Sequence, residues 1–176
     1  DIANNNNLEN RLLFFSKTLS YIIAIPLFIF VVFADDFIVL WLGYKFLHIV
    51  PVAQIILISL FFGGILFIPY AHYYRGLNKV KVPAITNIAF GILNFILVIT
   101  GFHFDLGLLG VAYSFSFTFG LRGIFFNLIY FSLITESSLR LLCTKVGKTV
   151  INLIVLLISL LMIKILIFNI IIKLVL

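Results

Sequence analysis

The residues able to do chemistry are few, and most lie inside apolar runs. Arg122 stands well within the run from Gly107 to Ile134. A charge at membrane depth costs about 2.5–3.5 kcal/mol on insertion scales, so as a rule it faces a cavity or a partner. Its guanidinium can line a water-filled cavity and hold a phosphate or another anion. Alternatively, it can snorkel to the nearer end of its span, about three turns away, or pair with another helix. Asn87 and Asn94 share one face of the preceding run. They can meet sugar hydroxyls from a cavity wall, or bond between helices for roughly 1 kcal/mol or less each. Lys164, near the middle of the last run, can line a groove or snorkel. His72 lies beside Tyr70, Tyr73 and Tyr74. A histidine titrates near neutrality, so it suits a proton relay as well as a plain interfacial place.

The only paired acids are Asp35 and Asp36, in the stretch FADDFIVLWLGYKF from Phe33 to Phe46. Two carboxylates can serve metal binding or base catalysis, as in membrane glycosyltransferases with lipid-linked donors. They also stop a helix at the headgroups. No third ligand stands near them, and a catalytic or metal site needs more converging groups. No glycine-rich phosphate loop, nucleotide motif or nucleophile–base pair is present. The single Cys143 can form no internal disulfide, and no Cys/His cluster has metal-ligand spacing. The expectation is therefore no catalytic residue, no metal and no cofactor.

The elements that must position these residues are membrane helices. The 176-residue chain is 64% hydrophobic and 10% charged, where soluble domains run near half and a quarter. Its apolar runs are continuous and do not alternate, which favours helices over a barrel. Spanning about 30 Å of hydrocarbon takes roughly 20 residues. Five segments qualify, at about 12–34, 51–74, 82–101, 107–134 and 150–176. The expected fold is an all-α transmembrane bundle occupying 1–176, cut from a longer protein before its first helix here.

Within the first span, Pro26 is a candidate kink, and Ser16, Ser20 and Ala24 form a small-residue face. Its basic, amphipathic start (Leu8 to Lys17) suits a segment lying along the membrane surface. Ser59, Gly63 and Gly64 offer the second span a close-packing surface. Tyr70, Tyr73 and Tyr74 suit a headgroup interface before Arg75. The third span carries the stripe Ala84, Asn87, Gly91, Asn94, Val98, Gly101. The fourth carries Gly107, Gly110, Ser114, Thr118 and Arg122 on one broad face.

Charge then sets topology. The lead (Arg11, Lys17), the loop RGLNKVK (Arg75 to Lys81) and the loop 135–149 are basic. The intervening loops are not, so positive charge alternates with each crossing. The positive-inside rule places the basic loops in the cytoplasm and Phe33–Phe46 outside. The net charge of +6 is thus spent on topology, and nucleic acid is not an expected partner.

The order of features resembles the C-terminal half of polysaccharide-biosynthesis flippases. These are the O-antigen and teichoic-acid type exporters of the multidrug/oligosaccharidyl-lipid/polysaccharide superfamily. The likeness rests on the basic first-helix start, the acid-bearing turn, and Leu40 to Phe46 (Leu-Trp-Leu-Gly-x-x-Phe). It continues through Gly76 to Lys79 (Gly-x-x-Lys), Asn87 and Asn94, and Leu106 to Ala112 (Leu-Gly-Leu-Leu-Gly-Val-Ala). It covers roughly Leu8 to Tyr130.

The resemblance implies a transporter of about twelve to fourteen helices in two pseudo-symmetric bundles. It would move a lipid-linked oligosaccharide from inner to outer leaflet by alternating access, with no bond made or broken. It implies as partners the membrane lipids, a polyprenyl-linked glycan and the missing N-terminal bundle. It also implies a cavity cation for the carrier's pyrophosphate, and Arg122 is the residue placed like one. Asn87, Asn94 and Lys164 are the other cavity candidates. A multidrug or toxin exporter of the same superfamily would instead favour acidic cavity residues, and no acid lies mid-span. A polyprenyl-dependent glycosyltransferase or polymerase would require Asp35 or Asp36.

Overall fold

The computed structural model describes residues 2–63, 68–135 and 138–175, with side chains between Arg11 and Ile167 apart from a few positions. Among them there is no strand. Helix α1 (Ile2–Val32) is followed by α2 (Ala34–Leu42), a 3₁₀ segment (Tyr44–Ile49), α3 (Val50–Gly63) and α4 (Ile68–Gly76). Then come α5 (Lys81–His103), α6 (Gly107–Gly120), a π-helical segment (Leu121–Phe126), α7 (Asn127–Thr135) and α8 (Leu139–Val175). Among the described residues, five stretches are long and apolar enough to cross a membrane: Arg11–Val32, Tyr44–Gly63, Lys81–His103, Gly107–Thr135 and Leu142–Ile167. The chain is an all-α helical membrane protein.

The bounds shift in places, for local reasons. Pro26 lies inside α1 without ending it. The interruption comes at Phe33, one residue before α2. Asp35 and Asp36 therefore open a helix as well as closing one. They occupy the first turn of α2, where carboxylates offset the positive end of the helix dipole. The basic start of the chain is helical in continuity with the first span. The turn expected at Trp41-Leu42-Gly43 is made by Gly43 at φ +92°, a conformation glycine adopts without steric cost. The last helix begins at Leu139, earlier than hydropathy alone suggests.

The spans pack in the order fifth, first, second, fourth, third. Helix α8 lies on α1, α1 on α3, α3 on α6, and α6 on α5. Lipid tails are as apolar as leucine, so small side chains and polar contacts decide which faces meet. Ser16, Ser20 and Ala24 are buried, as that rule predicts. Gln54 on α3 donates to the Val31 carbonyl at 2.9 Å. Ser59 on α3 meets the Ser116 hydroxyl of α6.

Two glycine contacts bring backbones together. A Cβ on Gly123 would lie 2.2 Å from the Gly63 carbonyl oxygen, and one on Gly63 would lie 2.6 Å from that of Phe119. On the other side of α6, a Cβ on Gly101 would lie 3.2 Å from the Gly110 Cα. Gly64, expected beside Gly63 in the packing surface, lies outside the described residues.

The tyrosines depart from the interfacial expectation. Tyr70 and Tyr74 are 0% and 2% exposed and belong to the core with Phe28, Phe61, Leu128 and Phe131. Tyr70 meets Phe131 edge-on at 4.8 Å, and Tyr74 meets Tyr130 at 4.9 Å. The Tyr74 hydroxyl donates to the Asn127 carbonyl at 2.9 Å. Hydropathy could not separate these places, because a tyrosine with a partner for its hydroxyl is as stable inside a bundle as at headgroups. Trp41 and Tyr44 are 72% and 78% exposed.

Candidate functional site

Helices α5 and α6 form an antiparallel pair that is tight at one end and splayed at the other. Three contacts mark its length. Gly101 touches Gly110 where the helices join. Thr118 donates to Asn94 Oδ1 at 3.4 Å farther along. Arg122 Nη1 donates to Asn87 Oδ1 at 3.0 Å nearest the basic loop. The small and polar stripes of the two runs thus face each other. Along the α5 stripe, Gly101 is buried, Asn94 is half-buried, and Asn87 and Ala84 are exposed. That gradient follows the widening gap.

A cleft of about 580 Å³ fills the gap, toward the end of the bundle that carries the basic loop Arg75–Lys81. Helix α3 contributes Gly63 to its wall, α4 contributes Tyr74 and Arg75, and α5 contributes Pro83 and Asn87. The fourth span contributes Phe119, Arg122 and Asn127.

Two features fix Arg122. Its guanidinium carbon lies 4.4 Å from the centroid of the Phe119 ring, close enough for a cation–π contact. Asn87 accepts one of its N–H bonds. The Phe119 contact spans three residues on the same helix, where side chains are natural neighbours. Neither partner is charged, and no carboxylate among the described residues pairs with Arg122. The cleft lining includes no Asp or Glu. The acids whose side chains are described, Asp35, Asp36 and Asp105, all lie at the opposite end, in the first turn of α2 and in the turn after α5. The result is a two-arginine wall, Arg75 and Arg122, with amide groups beside it.

The backbone at Arg122 is itself unusual. Leu121–Phe126 is π-helical, and the Asn127 N–H donates to the Arg122 carbonyl, an i→i−5 bond. π-turns are rare and often occur at functional sites. In an α-helix Asn127 would lie roughly 140° around the axis from Arg122. The wider turn brings both residues to the same cleft. Gly123 sits within this segment and lets it press on Gly63.

The four residues singled out in the sequence therefore separate. Arg122 and Asn87 meet in the cleft. Asn94 bonds to Thr118 between the helices, outside the lining. Lys164 is elsewhere, at the far end of α8. It forms ion pairs with Asp35 and with Asp36 (3.4 Å) and donates to the Val32 carbonyl at 2.9 Å. Its ammonium also lies 5.4 Å from the centroid of the Phe33 ring. Burial pushes the Asp35 carboxyl up, but the hydrogen bond from Lys164, backbone N–H groups and the Lys164 charge outweigh it and hold the group below its usual value. His72 is exposed and does not line the cleft.

Sequence reasoning missed Arg75 and Asn127. Arg75 carried a signal only as a loop charge, and it lines the cleft with Arg122 because α4 ends there. Asn127 carried none, because its place depends on the π-turn. No protein-family model, curated protein or solved structure matches this chain.

Proposed function

We propose that this chain is one bundle of a membrane transporter that carries a lipid-linked oligosaccharide between leaflets. The diphosphate of the lipid carrier would sit in the cleft on Arg122 and Arg75, and the polyprenyl tail would stay in the bilayer. One observation carries the reading: a cleft wall at the basic end of the bundle with two guanidiniums and, among the described residues, no carboxylate. A half-buried arginine with no counter-carboxylate among the described residues suits an anion supplied by a ligand. Asn87 and Asn127 add amides able to bond phosphate oxygens or sugar hydroxyls.

In this reading no bond is made or broken. The basic loops face the cytoplasm, the membrane is the plasma membrane, and a second bundle completes the cavity. Alternating access would then come from rocking of two bundles about the site.

The test is binding of a short-chain polyprenyl diphosphate to the purified chain in detergent, followed by calorimetry. Arg122→Ala should weaken it at least about tenfold, the lower range for loss of a charged hydrogen bond. Arg122→Lys should fall between, since it keeps charge and loses the fork. Equal affinity in Arg122→Ala would remove the residue from the mechanism. Preference for an organic cation over the diphosphate would favour the multidrug exporter. Loss of function on Asp35→Asn/Asp36→Asn with diphosphate binding intact would favour the glycosyltransferase or polymerase.

A further inference from the structure

A second basic site lies on the other side of the bundle, between α1 and α8. It is a groove of about 270 Å³ lined by Leu13, Phe14, Lys17, Lys145, Lys148 and Asn152, with Thr149 between them. On α8, Lys145, Lys148, Thr149 and Asn152 follow at steps of three, four and seven from the first, which is one helix face. On α1, Lys17 stands one turn beyond Leu13 and Phe14. No acid among the described residues lines the groove. Phe14 is 66% exposed beside it, so the groove has a cationic floor and an apolar lip.

Its depth can be read twice. Lys17 and Val32 are fifteen residues apart in α1, and Lys148 and Lys164 are sixteen apart in α8. At 1.5 Å per residue these separations are about 23 and 24 Å. Lys164 donates to the Val32 carbonyl at the far end. Both helices therefore put their lysines about one hydrocarbon thickness from a shared marker, at the level of the opposite headgroups.

We propose that this groove binds the phosphate headgroup of an anionic phospholipid of the leaflet on the basic side. One acyl chain would run down past Phe14. Basic pockets between transmembrane helices at this depth favour such headgroups. Lys17 and Lys148 alone bring two ammonium groups against the single charge of a phosphodiester, so a lipid with two phosphates should bind more tightly than one with a single phosphate. The site is separate from the Arg122 cleft and does not depend on the transport reading.

The test uses the full purified chain in phosphatidylcholine micelles doped with phosphatidylglycerol or cardiolipin, with retained lipid counted by native mass spectrometry. Retention should rank cardiolipin, then phosphatidylglycerol, then phosphatidylcholine. Lys17→Gln/Lys145→Gln/Lys148→Gln should lower cardiolipin retention at least about tenfold, since each lysine near a charged surface contributes appreciably. The arginine triple variant at the same positions should retain it, which guards against misfolding of the glutamine variant. Lys79→Gln/Lys81→Gln, which removes two positive charges from the other basic loop, should leave it unchanged. An equal fall in that control would mean diffuse attraction and overturn the site. Displacement of the lipid by millimolar inorganic phosphate alone would overturn the lipid as its occupant.

Discussion

At the residue scale, the cleft depends on how one guanidinium is held. Arg122 has an aromatic face on one side and an amide on the other. Asn87→Leu removes the amide and adds no charge. It should weaken diphosphate binding about threefold to tenfold, less than Arg122→Ala, as expected for loss of a positioning bond. Calorimetry on the same chain separates the two. Asn94→Leu should leave binding unchanged and lower stability by only about 0.6 kcal/mol, the mean for an interhelical bond in a membrane. Single residues of this kind were legible in part. Arg122 and Asn87 stood out because polar groups are costly in apolar runs. Their meeting was not legible, since a stripe on one helix does not say which helix faces it. Lys164 stood out for the same reason as Arg122, yet its partners lie 129 and 128 positions earlier in the chain.

At the element scale, the π-helical segment and its glycine seat act together. Gly123→Ala places a methyl group against the Gly63 backbone, which cannot rotate away as a side chain could. It should cost about 1–3 kcal/mol, the usual range for overpacking, read as a lower melting temperature in detergent. Gly91→Ala, with no atom within 4 Å of the new methyl, should be neutral and serves as the comparison. The sequence gives the glycines but no sign of the π-turn, because i→i−5 bonding has no strong residue preference. The α1–α8 strap yields a pH prediction. The folded-state value of Asp35 is depressed, so its contribution is present above the unfolded value of about 3.9. It is lost as pH falls through the lower folded value. The melting temperature should therefore drop in acid below about pH 4. Asp35→Asn should start lower at neutral pH and show a shallower acid limb. Parallel curves for the two proteins would mean the pair contributes nothing.

At the scale of the whole molecule, the five spans were legible because hydropathy sums over many residues and tolerates local error. Their order across the bundle was not, because lipid-facing and helix-facing surfaces are equally apolar. Helix α5 shows this: Ile88, Ile92, Phe95 and Ile99 are all more than half exposed. The charge pattern still predicts orientation. A cysteine placed at Asn78, in the basic loop, should react with a membrane-impermeant reagent only from the cytoplasmic side. The packing order also sets a schedule for the making of the protein. The carboxylate at Asp35 is made just after the first span, but the ammonium that neutralises it arrives on the fifth. While the ribosome produces three intervening helices, the nascent chain holds the open half of that pair. A chain halted after Thr135 would expose the vacant flank of its first helix to the quality-control proteases of the membrane. The fifth span thus supplies the cation that closes the pair opened at Asp35.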